Sequence, residues 1–389
     1  MVEPDGPLTI AMVAGEASGD NLGAALTREI LKSEPGTRFI GVGGPAMIAE
    51  GFTTDHDIEI LSVNGFVDPL LRLPSLVRLL FSLRDNIVAS GADCFVGIDS
   101  NFFNLLLAGM LKKRGIRTVQ YVSPTVWAWR SGRVKKIARN VDLMMTLYPF
   151  ETKVYEDNGV PVVFVGHPRA NDIAPGDGPA NQASAREQLG LPDQGDILAI
   201  LPGSRGSEVN LSGRDFLKTA ELLRDRMKLF VIPAANERRH AQLSRLLSEF
   251  PLLEGKVRLT RGQSREVMTA ADAVLVNSGT ATLEAMLLRK PMVMSYRLGK
   301  LTYNIVSRMV TTDWFALPNI LAEETLVPEF IQDDADPQVM ADAVGRLLGK
   351  EDHENLMQRF AGIHEQLQCG ATPGRAAADA VLSLARKPA

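Results

Sequence analysis

Leu201-Pro-Gly-Ser-Arg-Gly-Ser-Glu208 follows the strand-forming run Ile197 to Leu201 and precedes a helical pattern, Phe216 to Arg226. An apolar strand, a glycine-bearing turn and a helix, in that order, form the half-unit from which parallel α/β sheets are assembled. The turn also suits an anion. Gly203 and Gly206 let the backbone approach a ligand, Ser204 and Ser207 offer hydroxyls, and Arg205 supplies a planar, permanently charged fork that matches phosphate oxygens. No Gly-Lys-Ser/Thr follows at the Walker A spacing, which excludes a P-loop. Taken alone, the stretch reads equally well as an ordinary polar turn before a helix.

A second stretch of the same kind changes that balance. Asp272-Ala-Val-Leu-Val-Asn-Ser-Gly-Thr-Ala-Thr-Leu-Glu284 gives a buried strand (Ala273 to Val276), a polar turn (Asn277 to Thr280) and a helix running to about Leu288. A helix N-terminus over Ser278, Gly279, Thr280 and Ala281 would present free N–H groups and a favourable dipole to a diphosphate. Glu284, one turn into the helix, is placed to bind the hydroxyls of a sugar or ribose. As a first-turn acid it would equally serve the helix dipole.

Outward from these loops, strands alternate with helical patterns in both halves of the chain. The first half carries strand candidates Leu8 to Ala14, Arg38 to Val42, Cys94 to Ile98, Thr118 to Val122, Leu143 to Leu147 and Val162 to Val165. The second restarts with Ile197 to Leu201, Leu229 to Ile232, Val257 to Leu259, Ala273 to Val276 and Met292 to Ser295, and helical patterns dominate from Pro337. Between the halves, Asn171 to Asn181 is rich in Gly, Pro, Asp and Asn and reads as a linker. The expected organisation is an N-terminal domain over 1–170, a linker over 171–190, a second domain with the two anion-suited loops over 191–335 and a helical segment over 336–389. The fold class is α/β, with two doubly wound Rossmann-like domains facing a cleft as in GT-B glycosyltransferases, where ligands lie at the carboxyl ends of the strands.

Composition narrows the function. With 389 residues, 45% hydrophobic and 23% charged, the chain can fill two ordinary cores. A net charge of −4 and the lack of a basic stripe argue against nucleic acid. Cys94 and Cys369 are too few and too distant for a disulfide framework or a zinc site. The N-terminus is acidic, unlike a signal peptide, and no apolar run reaches the ~20 residues that span a bilayer, so a cytoplasmic location is expected.

A series of motifs then occurs in order: Ala14-Gly-Glu-Ala-Ser-Gly-Asp20, Gly41-Val-Gly-Gly-Pro-Ala-Met47 with Gly51-Phe52, Leu61-Ser-Val63, Val96-Gly-Ile-Asp99, Tyr121-Val-Ser-Pro-Thr-Val-Trp-Ala-Trp-Arg130, Gly166-His-Pro168, Leu201-Pro-Gly-Ser-Arg205, Ser278-Gly-Thr-Ala-Thr-Leu-Glu284 and Leu317-Pro-Asn319. Together they resemble the lipid A disaccharide synthases, from about residue 8 to about residue 335. The resemblance implies inverting transfer of 2,3-diacylglucosamine from its UDP derivative to the 6-hydroxyl of 2,3-diacylglucosamine 1-phosphate, giving a β-1,6 disaccharide and UDP with no metal or other cofactor. It implies that Ser204, Arg205, Ser278, Gly279, Thr280, Ala281 and Glu284 hold the UDP sugar, and that Ser18 and Gly19 of the first loop contact substrate. Asn319 is carried over as a nucleotide contact supplied across a homodimer with exchanged C-terminal segments.

Inverting transfer needs a base for the attacking hydroxyl. Asp99, at the end of the strand Cys94 to Ile98, is the candidate, with the N-cap of the helix Phe102 to Lys112 as its alternative role. Here the chain departs from the family pattern Ile-Asp-Ser/Ala-Pro-Asp-Phe-Asn. Phe102 stands at the second aspartate, Asn64 replaces the usual Met of Leu-Ser-Val-Met-Gly, and Asp68 stands where Glu is common. Either Asp99 alone serves as base or the chain is a divergent paralogue. The lipid side is expected in Phe66 to Leu83, where Phe66, Leu70, Leu71, Leu73, Leu76 and Leu80 lie among Arg72, Arg78 and Arg84. Pro69 and Pro74 point to an irregular hydrophobic lip at the cytoplasmic face of the inner membrane, against the alternative of a core helix. Trp127 and Trp129 read as structural aromatics or a sugar platform, and Arg130 to Lys136 as a solvated helix face or a phosphate contact. Two other functions stay open: another UDP-sugar enzyme of the fold, such as a 2-epimerase, and a non-catalytic UDP-lipid-binding paralogue.

Overall fold

The computed structural model describes residues 6–54, 56–61, 69–124, 132–299, 302–304, 307–308, 312–349 and 353–386, with the side chains of 69–72 and 132–133 outside that description. The chain divides into two compact units, Met1–Asn171 with Leu367–Ala389, and Asp172–Gln366.

The first unit is built on β1 (Thr9–Ala14), β2 (Arg38–Val42), β3 (Thr53–Thr54), β4 (Cys94–Ile98), β5 (Arg117–Tyr121), β6 (Leu143–Thr146) and β7 (Val162–Phe164), in spatial order β3-β2-β1-β4-β5-β6-β7. The second uses β8 (Ile197–Leu201), β9 (Leu229–Ala234), β10 (Val257–Arg261), β11 (Ala273–Asn277), β12 (Met292–Tyr296) and β13 (Glu329–Ile331), in order β10-β9-β8-β11-β12-β13. Every pairing is parallel. In both sheets the chain leaves its first strand in one direction and returns to extend the sheet in the other. The reversal places a topological switch point between β1 and β4 and another between β8 and β11, the positions at which open α/β sheets bind ligands.

The four strands beside these switch points are buried along their whole length. That is why they read as unbroken apolar runs rather than alternating ones, since helices cover both faces of a parallel sheet. In the first unit one face is covered by Leu26 and Ile30 of the helix Ala17–Ser33 and by Ala377, Ala378 and Val381 of the last helix, Pro373–Ala385. Small residues let those two helices approach closely, and a Cβ at Gly374 would meet Ala25 at 3.2 Å. The opposite face is covered by Leu79, Leu83 and Ile87 of the helix Pro69–Ala89 and by Leu107, Ala108 and Leu111 of Asn101–Lys112.

Several elements differ from the sequence expectations. The helix expected from Phe216 begins at Gly206, because Glu208 reaches back to the backbone N–H of Arg205 at 3.0 Å and closes the first turn. Ser207, Asn210, Ser212 and Gly213 hide that start from a hydrophobic-periodicity reading. The short edge strands β3 and β13 carry too few residues for a pattern. The stretch read as a linker contains two short helices, Asp177–Ala180 and Gln182–Gln188. Arg186 there is buried, bonding Asp272 Oδ2 at 2.7 Å and the carbonyl of Ala270 at 2.9 Å, and Gly178 passes so close to Leu288 that a Cβ would clash with its carbonyl. These contacts tie residues 172–190 into the second unit. The hydrophobic segment is not irregular as expected. Pro69–Ala89 is one continuous helix, because a proline at its first position loses no hydrogen bond and Pro74 interrupts only the second turn.

Candidate active site

At the switch point of the second unit, β8 and β11 end side by side and each runs into a helix. Asn277, buried at the end of β11, joins the two loops through Nδ2, which donates to the carbonyl of Pro202 at 3.3 Å, while its Oδ1 accepts from Ser278 N at 3.1 Å. Gly203 has φ +120, and a Cβ there would lie 2.5 Å from Glu208 Cβ, so the turn requires glycine. The helix Gly206–Leu223 and the helix Thr280–Leu287 both begin at this edge, bringing two positive dipole ends together. Ser204 and Arg205 are exposed, as are Gly279 and Thr280, while Ser278, Ala281 and Glu284 are half-buried. Tyr296, at the end of β12, completes the edge. Burial raises its phenol, Glu208 raises it further, and Arg205 opposes both.

Leu317-Pro-Asn319 packs against the same turn. Ser278 Oγ donates to the carbonyl of Phe315 at 3.3 Å, and Leu317 N donates to Thr282 Oγ1 at 3.2 Å. Asn319 itself is fully buried. Its Nδ2 donates to Val327 O and Glu329 Oε1, and its Oδ1 accepts from Leu326 N and Val327 N, at 2.7 to 2.9 Å. An asparagine amide has two donors and two lone pairs. All are engaged inside the chain, so the Asn319 side chain fixes the loop that carries it.

In the first unit, β1 and β4 end at loops that interlock. Gly15 lies against Ser100, with no room for a Cβ, and Ser18 Oγ donates to Asp99 Oδ2 at 3.3 Å. Gly19 packs beneath them, its Cβ position 3.4 Å from the carbonyl of Ile98 and 3.6 Å from Asp99 Cβ. The N-cap position of the helix Asn101–Lys112 belongs to Ser100, and its side chain makes no capping bond. Asp99 therefore does not act as the cap. The residue is half-buried, and its carboxylate stands at the strand edge beside the exposed Ser18. Phe102, in the first turn of that helix, is 81% exposed.

The helix Pro69–Ala89 turns Leu79, Leu83 and Ile87 inward and leaves Leu73, Val77 and Phe81 exposed, each set repeating every four residues. Leu76 and Leu80 are half-buried against the core, while Phe66 and the side chains of Leu70 and Leu71 lie outside the described residues. Asn64, Asp68, Trp127, Trp129 and Arg130 also lie outside them. Lys135 and Lys136 are exposed on a helix whose Val134 and Ile137 are buried, the solvated-face arrangement.

With this geometry in place, comparisons assign the family. The family model for lipid-A-disaccharide synthetase matches residues 10–378. The chain belongs to the lipid-A-disaccharide synthase family. It is 46% identical over 387 residues to the lipid-A-disaccharide synthase of Cellvibrio japonicus, covering 99% of each chain, and 48% identical over 379 residues to that of Pseudomonas fluorescens, covering 97% and 98%. Membership makes it a glycosyltransferase. Solved structures show the same GT-B fold: UDP-GlcNAc 2-epimerase from Neisseria meningitidis has a TM-score of 0.60 at 13% identity over 98% and 100% of the two chains, and Acinetobacter baumannii MurG 0.56 at 14% over 97% and 100%. At such low identity the epimerases share the fold only, and the family match gives no support to the epimerase alternative.

Sequence reasoning about this family member missed four residues. Asn277 and Tyr296 at the edge formed by β8, β11 and β12 carried a usable signal, as polar residues closing apolar strands. Gln120 did not, because a buried amide inside an apolar run has no sequence signature of its partner, and Asn104, the last residue of the family pattern around Asp99, gave no sign of which groups it holds.

Proposed function

We propose that the chain transfers a 2,3-diacylglucosaminyl group from its UDP derivative to the 6-hydroxyl of 2,3-diacylglucosamine 1-phosphate, with inversion, releasing UDP. The second unit holds the donor. Two helix N-termini and the Arg205 guanidinium offset the charge that builds on the departing diphosphate, and Glu284 takes sugar or ribose hydroxyls. The first unit supplies the proton acceptor. Asp99 removes the proton from the 6-hydroxyl as the oxygen attacks the anomeric carbon, the glycosidic bond forms and the bond to the diphosphate breaks.

The observation that carries this reading is the carboxylate of Asp99, uncommitted to helix capping and bonded only through the hydroxyl of Ser18 among the contacts described. With Phe102 in place of the family aspartate, Asp99 serves as base alone. The exposed Leu73, Val77 and Phe81, with Phe102 on the neighbouring helix, support an apolar face that settles on an anionic lipid surface and shelters acyl chains. Among the described residues no helix is long and apolar enough to cross a membrane. The protein acts as a homodimer at the inner-membrane surface.

Asp99→Asn tests the assignment. It should leave UDP affinity within about twofold while lowering transfer by roughly 10²–10⁴-fold, the usual contribution of a positioned base. Transfer close to that of the unaltered protein would overturn it.

A further inference from the structure

Strained backbone is concentrated at one place in the first unit. Asp99 (φ 53), Ser100 (φ 40) and Val122 (φ 76) adopt left-handed conformations at the ends of the paired strands β4 and β5. Such conformations are unfavourable for residues with side chains, above all for a β-branched valine, and persist only where the surroundings impose them. Two fully buried amides lie directly beneath. Gln120 Nε2 donates to the carbonyl of Asp99 at 3.2 Å and to Asn101 Oδ1 at 3.0 Å. Asn104 Nδ2 lies 2.9 Å from the same Asp99 carbonyl, 3.2 Å from that of Ile98 and 3.0 Å from that of Val13.

The other ends of these amides are unmet. Asn104 Oδ1 and Gln120 Oε1 are buried and find no partner among the described residues. Flipping either amide would only set an oxygen against the carbonyls it now serves. A glycine makes the room, since a Cβ at Gly97 would fall 2.7 Å from Asn104 Cβ and 2.9 Å from Gln120 Oε1. Apolar side chains would fill this space without unmet acceptors, so core packing alone does not account for the pair.

We propose that Gln120, with Asn104, is a positioning residue for the transfer reaction. Holding the Asp99 carbonyl from below fixes residues 99 and 100 in left-handed form and turns the Asp99 carboxylate to the strand edge beside Ser18, away from the helix N-terminus it would otherwise cap. The proposal rests on the reading of Asp99 as the base.

The test is steady-state kinetics on the full chain carrying Gln120→Met, which keeps the volume and removes the donors. We expect kcat to fall at least tenfold, with KM for the UDP donor within twofold and the protein folded at the assay temperature. Adding Ser100→Gly, which adopts the left-handed form freely, should recover at least threefold of that loss. A kcat within twofold of the unaltered protein, or a loss that Ser100→Gly does not relieve, would reduce Gln120 to a packing residue. If Gln120→Met does not fold, Gln120→Leu, which also lacks the donors, takes its place with the same expectations. Asp99→Asn run beside them separates the two ideas. An inactive Asp99→Asn with a fully active Gln120→Met overturns the positioning role alone, whereas an active Asp99→Asn overturns the base and the positioning role with it.

Discussion

Arg205 and His167 show how differently two polar residues at loop ends are used. Arg205 is exposed at the start of a helix, and Glu208 accepts from its backbone N–H, which makes the residue the proposed diphosphate contact of the second unit. Arg205→Ala should weaken UDP by about 1.5–3 kcal/mol, the range for hydrogen bonds to a charged group, which titration calorimetry would read as roughly a 10- to 100-fold rise in Kd. Arg205→Lys should recover only part of this, because an ammonium cannot form the two-pronged contact. His167 is buried against Tyr148, with Nδ1 accepting from Arg169 N at 3.1 Å. Burial, aided by Arg169, depresses its pKa to about 4. The unfolded chain therefore takes up the proton first as pH falls below about 6.5, and stability present at neutral pH is lost progressively down to about pH 4, by about 3 kcal/mol. His167→Asn keeps an acceptor for Arg169 N and cannot titrate. Denaturation measured at pH 7 and pH 4 should show a smaller acid loss in the variant, and equal losses would exclude His167 as the source.

The helix Pro69–Ala89 separates buried from exposed apolar residues by face. Serine at Leu73, Val77 and Phe81 should lower binding to anionic vesicles with a stability change of no more than about 0.5 kcal/mol for each substitution, because these side chains are exposed and help to fill no core. Leu79→Ala on the opposite face should cost about 2–5 kcal/mol. A melt that falls with the first set would show that this face is packed. The amphipathic character of the helix was legible in the leucine spacing, but its continuity was not, since a proline near a helix start reads as a break until the lost hydrogen bond is located. The loops after β8 and β11 were legible because glycine, serine and arginine at strand-to-helix turns each have a local physical reason. The structural role of Asn319 was not, because it depends on Glu329 and Val327, which lie beyond any local pattern.

Across the whole molecule, two sheets with the same strand logic place groups of opposite polarity at their switch points, a carboxylate in the first unit and the N-termini of two helices in the second. Parallel sheets followed from the alternation of apolar strands and helical patterns, whereas the strand order did not. The return of the last helix to the first unit did not, because helices rich in alanine carry no mark of which sheet they cover. The substitution Phe102 tests how much of the reaction this arrangement supports with one aspartate. The decisive measurement is product formation by the purified protein from labelled 2,3-diacylglucosamine 1-phosphate and its UDP derivative in mixed micelles. A labelled disaccharide formed in step with UDP is the predicted result, and tight binding of the UDP lipid without any disaccharide would contradict the account.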